Sequence, residues 1–333
     1  MANRSSALLT ADPGSSSLLS GRILITGGTG TLGNLLAEWF CQHGAKNLTL
    51  LSRTGVLPPN VAEWLATSAS GSTSAITVCA CDTTSAADCG VLSFPASDLQ
   101  PVTLLVHAGG VLADAMLSNQ SLGALRRVLA PKHASLEHLA VLAQLHPAAG
   151  QVLFSSIASL LGAPGQANYS AANAGLDGYA AECAARGLAA VSVQWGAWAG
   201  GGMAAQDAQT AGRVERMGMS LIRPQQGLAA LEGVLSSMII SSSASILTGS
   251  PALESVIAAN PFRWPEFLRR LPGPPPPFLS HFSITLTTKD TTSGAAVLKH
   301  QGRPGRRRRQ HTRASAGPAA ATTSAVFAAS VLE

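Results

Sequence analysis

The stretch ITGGTGTLG, residues 25–33, constrains this chain more than any other. It closes a short β-branched and apolar run, RILIT (22–26), and opens a segment with helical spacing of its apolar residues, 31–43. Gly28, Gly30 and Gly33 satisfy G-x-G-x-x-G in the strand–turn–helix setting that the pattern requires. Without Cβ atoms the backbone of such a turn can approach a pyrophosphate, and the following helix offers free N–H groups and the positive end of its dipole. Glycine-rich turns also serve as plain tight connections, so the reading as a dinucleotide site rests on the flanking elements.

Those elements recur along the chain. Candidate strands at 22–26, 47–52, 74–81, 102–107, 150–156, 189–195 and 244–248 alternate with helical candidates near 31–43, 60–69, 84–93, 120–146, 168–187 and 225–240. Strands this short, separated by single helices, imply right-handed βαβ crossovers and a parallel sheet covered on both faces. The expected fold is α/β, a doubly wound Rossmann-type domain with a seven-stranded parallel sheet. Residues 1–20 are polar and Ser-rich and read as a linker, and the domain is expected over 21–280. Residues 281–333, rich in Ser, Thr and Ala around GRPGRRRRQHTR, are expected to be a disordered basic tail.

The strand ends indicate which dinucleotide the turn would take. The second strand ends LLSRTG, placing Arg53 where an acidic residue would otherwise hold a ribose 2′-hydroxyl. A guanidinium suits a 2′-phosphate, which favours NADPH over NADH; the alternative is a solvated surface arginine. Asp82, ending CACD, suits either the adenine or the N-cap of the helix after it. The fourth strand ends VHAGG, where small residues let the backbone approach a nicotinamide ribose. His107, at that buried strand end, reads as structural rather than catalytic. The candidate cofactor-binding set is Thr26, Gly28, Thr29, Gly30, Leu32, Gly33, Ser52, Arg53, Asp82, His107, Ala108 and Gly109.

Charge and cysteine content narrow the function classes. The net charge of +5 invites a nucleic-acid or membrane reading, but residues 1–280 hold 14 Lys/Arg against 15 Asp/Glu, while 281–333 hold 8 against 2. The near-neutral body fits an enzyme core better than a polyanion binder, and the Arg306–Arg309 run reads as solvated tail. Five scattered cysteines do not form a disulfide framework. Cys79 and Cys81 share a strand face without a second pair at metal spacing, so buried thiols are expected and no metal. No apolar run of signal-peptide length precedes the polar residues 12–17, and none approaches the roughly 18–20 residues of a bilayer span. A soluble, cytoplasmic protein is expected.

The chemistry gathers after the fifth strand, in SSIASLLGAPGQANYSAANAGLDGYA. Ser156 and Tyr169 bracket a Gly/Pro loop, and Asn173 follows Tyr169 by four residues, on the same helical face. Hydride reduction of a carbonyl needs a proton donor at the developing alkoxide and a polar partner for the carbonyl oxygen. A tyrosine beside a serine can supply both, and its free pKa near 10 calls for a nearby cation. The bland readings are a core tyrosine, a capping serine and a solvated lysine.

Most short-chain reductases place a lysine four residues after the tyrosine, where this chain has Asn173; Lys132 stands instead on the helical segment before the fifth strand. This exchange, with TGGTGTLG, HAGGVLAD, LAPK, FSSIASLLGAPGQANYSAAN and WGAW, resembles the ketoreductase domains of type I modular polyketide synthases, and is similar to the related ketoreductase of animal-type fatty acid synthases. The resemblance covers about residues 20–280. It implies an NADPH-dependent reduction of a β-ketoacyl thioester on the phosphopantetheine arm of an acyl carrier protein, in polyketide or fatty acid biosynthesis. Tyr169 would donate the proton, Ser156 position the carbonyl oxygen, Lys132 support the tyrosine's acidity and the cofactor ribose, and Asn173 complete the network.

The resemblance also bears on stereochemistry. The B type carries Leu-Asp-Asp after the fourth strand; here Leu112-Ala113-Asp114 keeps the last residue of the three. The A type carries a Trp eight residues before the tyrosine, a position held by Leu161. A B-type product is therefore expected, with Asp114, Leu161 and Met203 as substrate-side residues. The segment 195–206 matches the loop into a helical lid, with Gly200, Gly201 and Gly202 giving it freedom to close. Expected partners are the carrier protein and other synthase domains, including a bracing subdomain that the roughly 20 residues before the first strand do not supply; no membrane or nucleic acid is expected. Two readings remain beside this one, a free-standing short-chain reductase of a small ketone and an inactive scaffold subdomain.

Overall fold

The computed structural model describes residues 18–59, 61–63, 74–93, 101–145, 149–201, 208–244, 254–279, 282 and 326–327. Its spine is a parallel sheet of β1 (Arg22–Thr26), β2 (Asn47–Ser52), β3 (Ala75–Ala80), β4 (Val102–His107), β5 (Gly150–Ser156), β6 (Ala190–Trp195) and β7 (Val256–Ala259), in the order β3-β2-β1-β4-β5-β6-β7. The seven-stranded Rossmann-type sheet is thus present. A further two-residue strand, β8 (Val326–Phe327), pairs in parallel with β7.

Alternation along each strand explains the two helical layers. Ile23 and Ile25 of β1 enter one core cluster while Leu24 enters another; Leu104 and Val106 of β4 likewise oppose Leu105. Successive side chains point to opposite faces, so strands apolar at every position must be covered twice. On the first face lie α1 (Thr31–Gln42), through Leu36 and Phe40, and a long helix at Pro224–Ala244, through Leu231 and Leu235. The second face takes Cys89 of α2 (Ala86–Ser93), Leu139 of a helix at His133–Leu145, and Leu176 and Ala180 of a helix at Ala167–Ala185. β3, at the edge, alternates between exposed and half-buried residues, as an edge strand covered on one side should.

Several boundaries differ from the sequence reading. The expected helix over 120–146 is two helices, α3 (Leu122–Leu129) and α4 (His133–Leu145), because Pro131 has no N–H to donate and its ring crowds the preceding turn. Lys132 consequently sits in the joint between them. A short helix, α5 (Ile157–Leu161), follows β5 directly, before α6 (Ala167–Ala185), and α7 (Ala208–Arg216) precedes α8 (Pro224–Ala244). The seventh strand among the described residues is Val256–Ala259; of the candidate 244–248, Ala244 belongs to α8 and 245–248 lie outside the described residues. The Phe-Arg-Trp-Pro stretch ends in α9 (Trp264–Arg269).

The helix expected over 60–69 and the disorder expected in both termini fall largely outside the described residues. Leu18 and Leu19, read as linker, are buried: Thr103 Oγ1 donates to the Leu18 carbonyl at 2.7 Å, and two adjacent leucines have more to gain from the core than from water.

The glycine turn is built by contact as well as by dihedral angle. Gly27 has φ +66°, and a Cβ on Gly33 would stand 2.4 Å from the Gly27 carbonyl oxygen. By contrast, a Cβ on Gly178, midway along α6, would meet nothing within 4 Å. Gly33→Ala is expected to lower stability by about 1–3 kcal/mol, and Gly178→Ala to raise it by about 0.5–1 kcal/mol. Urea denaturation of the two variants beside wild type checks both signs.

Candidate active site

β1 pairs with β2 on one side and β4 on the other, so the chain leaves the ends of β1 and β4 in opposite directions. Ligands of such sheets bind in the crevice at that switch point. A cavity of about 520 Å³ opens there, lined by Gly27, Thr29, Gly30, Leu32 and Gly33 of the turn, by Ser52 and Arg53 after β2, and by Asp82, Ala108 and Gly109. Helix α1 begins on its wall with Gly30 as N-cap and no side chain capping the first turn. Free N–H groups and a helix dipole therefore face the cavity.

Thr26, Gly28 and His107 stand behind this wall rather than on it. Thr26 Oγ1 accepts from the Gly109 N–H at 3.2 Å and meets His107 Nδ1 at 2.8 Å, joining the ends of β1 and β4. His107 is fully buried; burial first, and the Lys132 charge second, push its pKa down to about 3, so the ring is neutral. Gly28 serves packing, since a Cβ there would lie 2.7 Å from Leu50. Asp82 is engaged locally: its Oδ1 accepts from the Thr84 N–H at 2.9 Å and Oγ1 at 2.7 Å. The cap before α2 is Ser85, whose Oγ accepts from the Asp88 N–H, not Asp82.

The crevice continues past Leu32, Ala108 and Gly109 into a second pocket of about 210 Å³. Lys132, Ser155, Tyr169, Asp114 and Leu161 line it, above Phe154, Trp195 and Trp198. The three rings pack at centroid distances of 5.3 and 5.1 Å and make the floor rigid. Ser156 both caps α5, accepting from the Ala158 N–H at 3.2 Å, and hydrogen-bonds the Tyr169 side chain. Burial pushes the Tyr169 hydroxyl up; hydrogen bonds with Ser156 and Asn173 pull it back, and Asp114 opposes them. Asn173 Nδ2 donates to the Tyr169 carbonyl at 2.8 Å, while its buried Oδ1 has no partner.

Lys132 is buried, donates to the Phe154 carbonyl at 2.9 Å, and is lowered by burial to about 8 against a smaller opposing pull from Asp177. It stands at the Pro131 break before α4, from which its amine reaches the β5 carbonyl at Phe154. Asp114 is exposed and accepts from Gln166 Nε2 at 2.8 Å, and Asn168 Nδ2 donates to the Ala113 carbonyl, so the 112–115 segment is fastened to the loop before α6. Met203 lies outside the described residues.

Sequence reasoning missed two sets of lining residues. Arg127 of α3 reaches the first cavity, and Arg213, Val214 and Met217, from α7 and the turn after it, reach the second. Arg127 and Arg213 are exposed side chains on short helices, and no local pattern says which face meets a cavity. Among the described residues no group of three or more metal-ligating side chains comes together, and all five cysteines are free thiols.

A family model for the KR domain matches residues 21–200. The chain belongs to the KR, or ketoreductase, domain family. Polyketide synthase GfsB of Streptomyces halstedii is 40% identical over 220 residues, 66% of this chain and 4% of that protein. Pikromycin polyketide synthase component PikAIII of Streptomyces venezuelae is 37% identical over 218 residues, 65% of this chain and 14% of its own length. Among solved structures, an A-type ketoreductase from a modular polyketide synthase superposes with TM-score 0.71 at 31% identity, over 83% of this chain and 56% of that one. The first ketoreductase of the tylosin synthase gives TM-score 0.62 at 31% identity, over 75% and 51%. A short-chain dehydrogenase/reductase from Brucella melitensis shares the fold at 20% identity and TM-score 0.55, over 72% and 94%. The ketoreductase chain thus spans a small part of its synthase relatives and just over half of the solved ketoreductases.

A nicotinamide cofactor goes with this family and fold, and the residues fit one. The uncapped α1 terminus suits a pyrophosphate, Arg53 lies at the cavity wall beyond it, and the cavity runs into the Tyr169 pocket over the small residues 108–110.

Lys132 is charged in folded and unfolded chain alike below about pH 8, where the desolvation cost is fully felt, and neutral in both above 10.5. Folding stability at this position therefore rises between those values. Lys132→Met is expected to be more stable than wild type at neutral pH by about 1–3 kcal/mol, the Phe154 carbonyl left unpaired offsetting part of the gain. The difference should close as pH rises from about 8 to 10.5; denaturation of both proteins across that range measures it.

Proposed function

We propose that this ketoreductase domain reduces a β-ketoacyl thioester, carried on the phosphopantetheine arm of an acyl carrier protein, to the β-hydroxyacyl thioester with NADPH. The observation that carries the reading is Lys132 and Tyr169 on the wall of one pocket that opens from the cofactor crevice, with Ser156 and Asn173 hydrogen-bonded to Tyr169. When bound, the reduced nicotinamide supplies the hydride. Tyr169 gives its phenolic proton to the substrate oxygen as that oxygen gains charge, and the Ser156 hydroxyl holds the same oxygen. Asn173, with a buried Oδ1 to satisfy, suits a water that returns the proton to the tyrosine. Lys132 stabilises the phenolate left behind and suits the cofactor ribose, once its ammonium turns from the Phe154 carbonyl.

A long thioester arm needs an open mouth, and Asp114, Gly162 and Pro164 on the pocket wall are exposed. This favours a carrier-bound substrate over a small free ketone. The relatives named as synthase components favour the same assembly, with the other synthase domains, and a bracing subdomain, as partners. Polyketide biosynthesis is the setting that fits best. Asp114 and Leu161 both line the pocket and support the B-type product, although solved relatives named A-type share the fold.

Turnover is followed by the loss of reduced-nicotinamide absorbance with a β-ketoacyl thioester. Tyr169→Phe is expected to lower kcat by roughly 10²–10⁴-fold while binding of NADPH persists; equal activity in the two proteins contradicts the assignment. Arg53→Ala is expected to weaken NADPH binding by roughly tenfold or more and leave NADH binding unchanged, as fluorescence titration would record.

A further inference from the structure

Asp177 follows Tyr169 by eight residues and Asn173 by four on α6, a spacing that keeps all three on one side of the helix. It does not line the pocket but stands behind it, half-buried. Three neutral side chains hold its carboxylate: Ser192 Oγ donates to Oδ1 at 2.6 Å, and Ser159 Oγ and Gln194 Nε2 donate to Oδ2 at 2.6 and 2.8 Å. They come from α5 and β6, so one carboxylate ties α5, α6 and β6 together. No basic side chain among the described residues forms an ion pair with it. Neutral donors satisfy its lone pairs and leave its charge uncancelled.

From this carboxylate the contacts lead back to the reacting groups. Ser159 Oγ lies 3.4 Å from Ser155 Oγ, which donates to the Asn173 carbonyl at 3.3 Å. Ser155 stands between Phe154, whose carbonyl takes Lys132, and Ser156, which meets Tyr169. Around Lys132, β4 presents neutral His107 and α6 presents the protonated Tyr169; Asp114 and Arg213 are exposed on other walls of the pocket. Burial drives an amine toward its neutral form, and Asp177 is the group that opposes this for Lys132.

We propose that Asp177 is a positioning residue for this ketoreductase, the counter-charge of Lys132 and, through Ser159 and Ser155, the anchor of the turn that carries Ser156. The proposal rests on the functional reading of Lys132 and Tyr169, and it is tested first without turnover. The chain has four lysines, Lys46, Lys132, Lys289 and Lys299, so isotope-labelled lysine resonances can be titrated and that of Lys132 assigned with Lys132→Met. Asp177→Asn, which removes the charge and keeps one of the two acceptor oxygens, is expected to lower the Lys132 midpoint by about half a unit or more. Asp177→Glu is expected to retain it. The basic limb of the kcat/KM pH profile should move down with the midpoint, a shift that a purely structural residue would not produce. A folded Asp177→Asn protein with an unmoved Lys132 midpoint overturns the proposal.

If Asp177→Asn folds poorly, the same titration is made on the Gly178→Ala background. Ser159→Ala provides an independent arm, since it breaks the relay and leaves the charge. It is expected to lower kcat by roughly tenfold with KM and the Lys132 midpoint unchanged; an unchanged kcat removes the anchoring role. Absence of turnover in wild type would overturn the functional reading and leave the titration to decide on Asp177.

Discussion

The divergence of the chain on either side of β1 is the constraint on which this molecule depends. Because β1 pairs with both β2 and β4, the connections from the two central strands leave toward opposite faces, and no loop can close over the gap between their ends. The sheet is buried on both faces, so this gap is where unpaired backbone groups, free helix N–H groups and small residues can meet a ligand. The Thr26–His107 contact and the Gly109 N–H bonded to Thr26 hold the two strand ends in register and define the crevice. Tyr169 and Lys132, the residues of the proposed chemistry that face open space, line its continuation past residues 108–110.

A second constraint follows from depth. The pocket floor is aromatic, which raises the cost of every charge beside it. His107 responds by staying neutral, and Tyr169 by holding its proton. Lys132 is the exception: it keeps its ammonium near neutrality while donating to a backbone carbonyl, with the charge of Asp177 opposing the effect of burial. In the proposed chemistry Tyr169 resists ionisation in the resting protein through burial, and Lys132 on the wall of the same pocket favours the phenolate once the proton has left.

Much of this was legible in the sequence. Burial of β1, β2, β4, β5 and β6 on both faces shows as near-continuous apolar runs, and the glycine turn fixes where strand yields to helix. Ser156, Tyr169 and Asn173 are close in sequence, so spacing alone suggests their meeting. The readings that missed did so where a local signal was absent or ambiguous. VIAA at 256–259 is a short apolar run without a signal of its own, and its pairing with β6 is what makes it a strand. Pro131 was visible inside the segment read as one helix; its effect, a break that sends Lys132 inward, is a matter of direction and not of composition.

By itself the sequence determined the α/β class, the cofactor end of the sheet and the residue types that the chemistry requires, because these follow from local periodicity and short-range spacing. Tertiary structure alone decided that Lys132 meets the Phe154 carbonyl of β5, that Arg127 and Arg213 face cavities, that His107 is walled off, and that Ser159, Ser192 and Gln194 gather on Asp177. Each of those depends on how helices separated by tens of residues pack on the sheet. Packing of that kind is settled by the combined volume and burial of many side chains, which no single stretch of sequence carries.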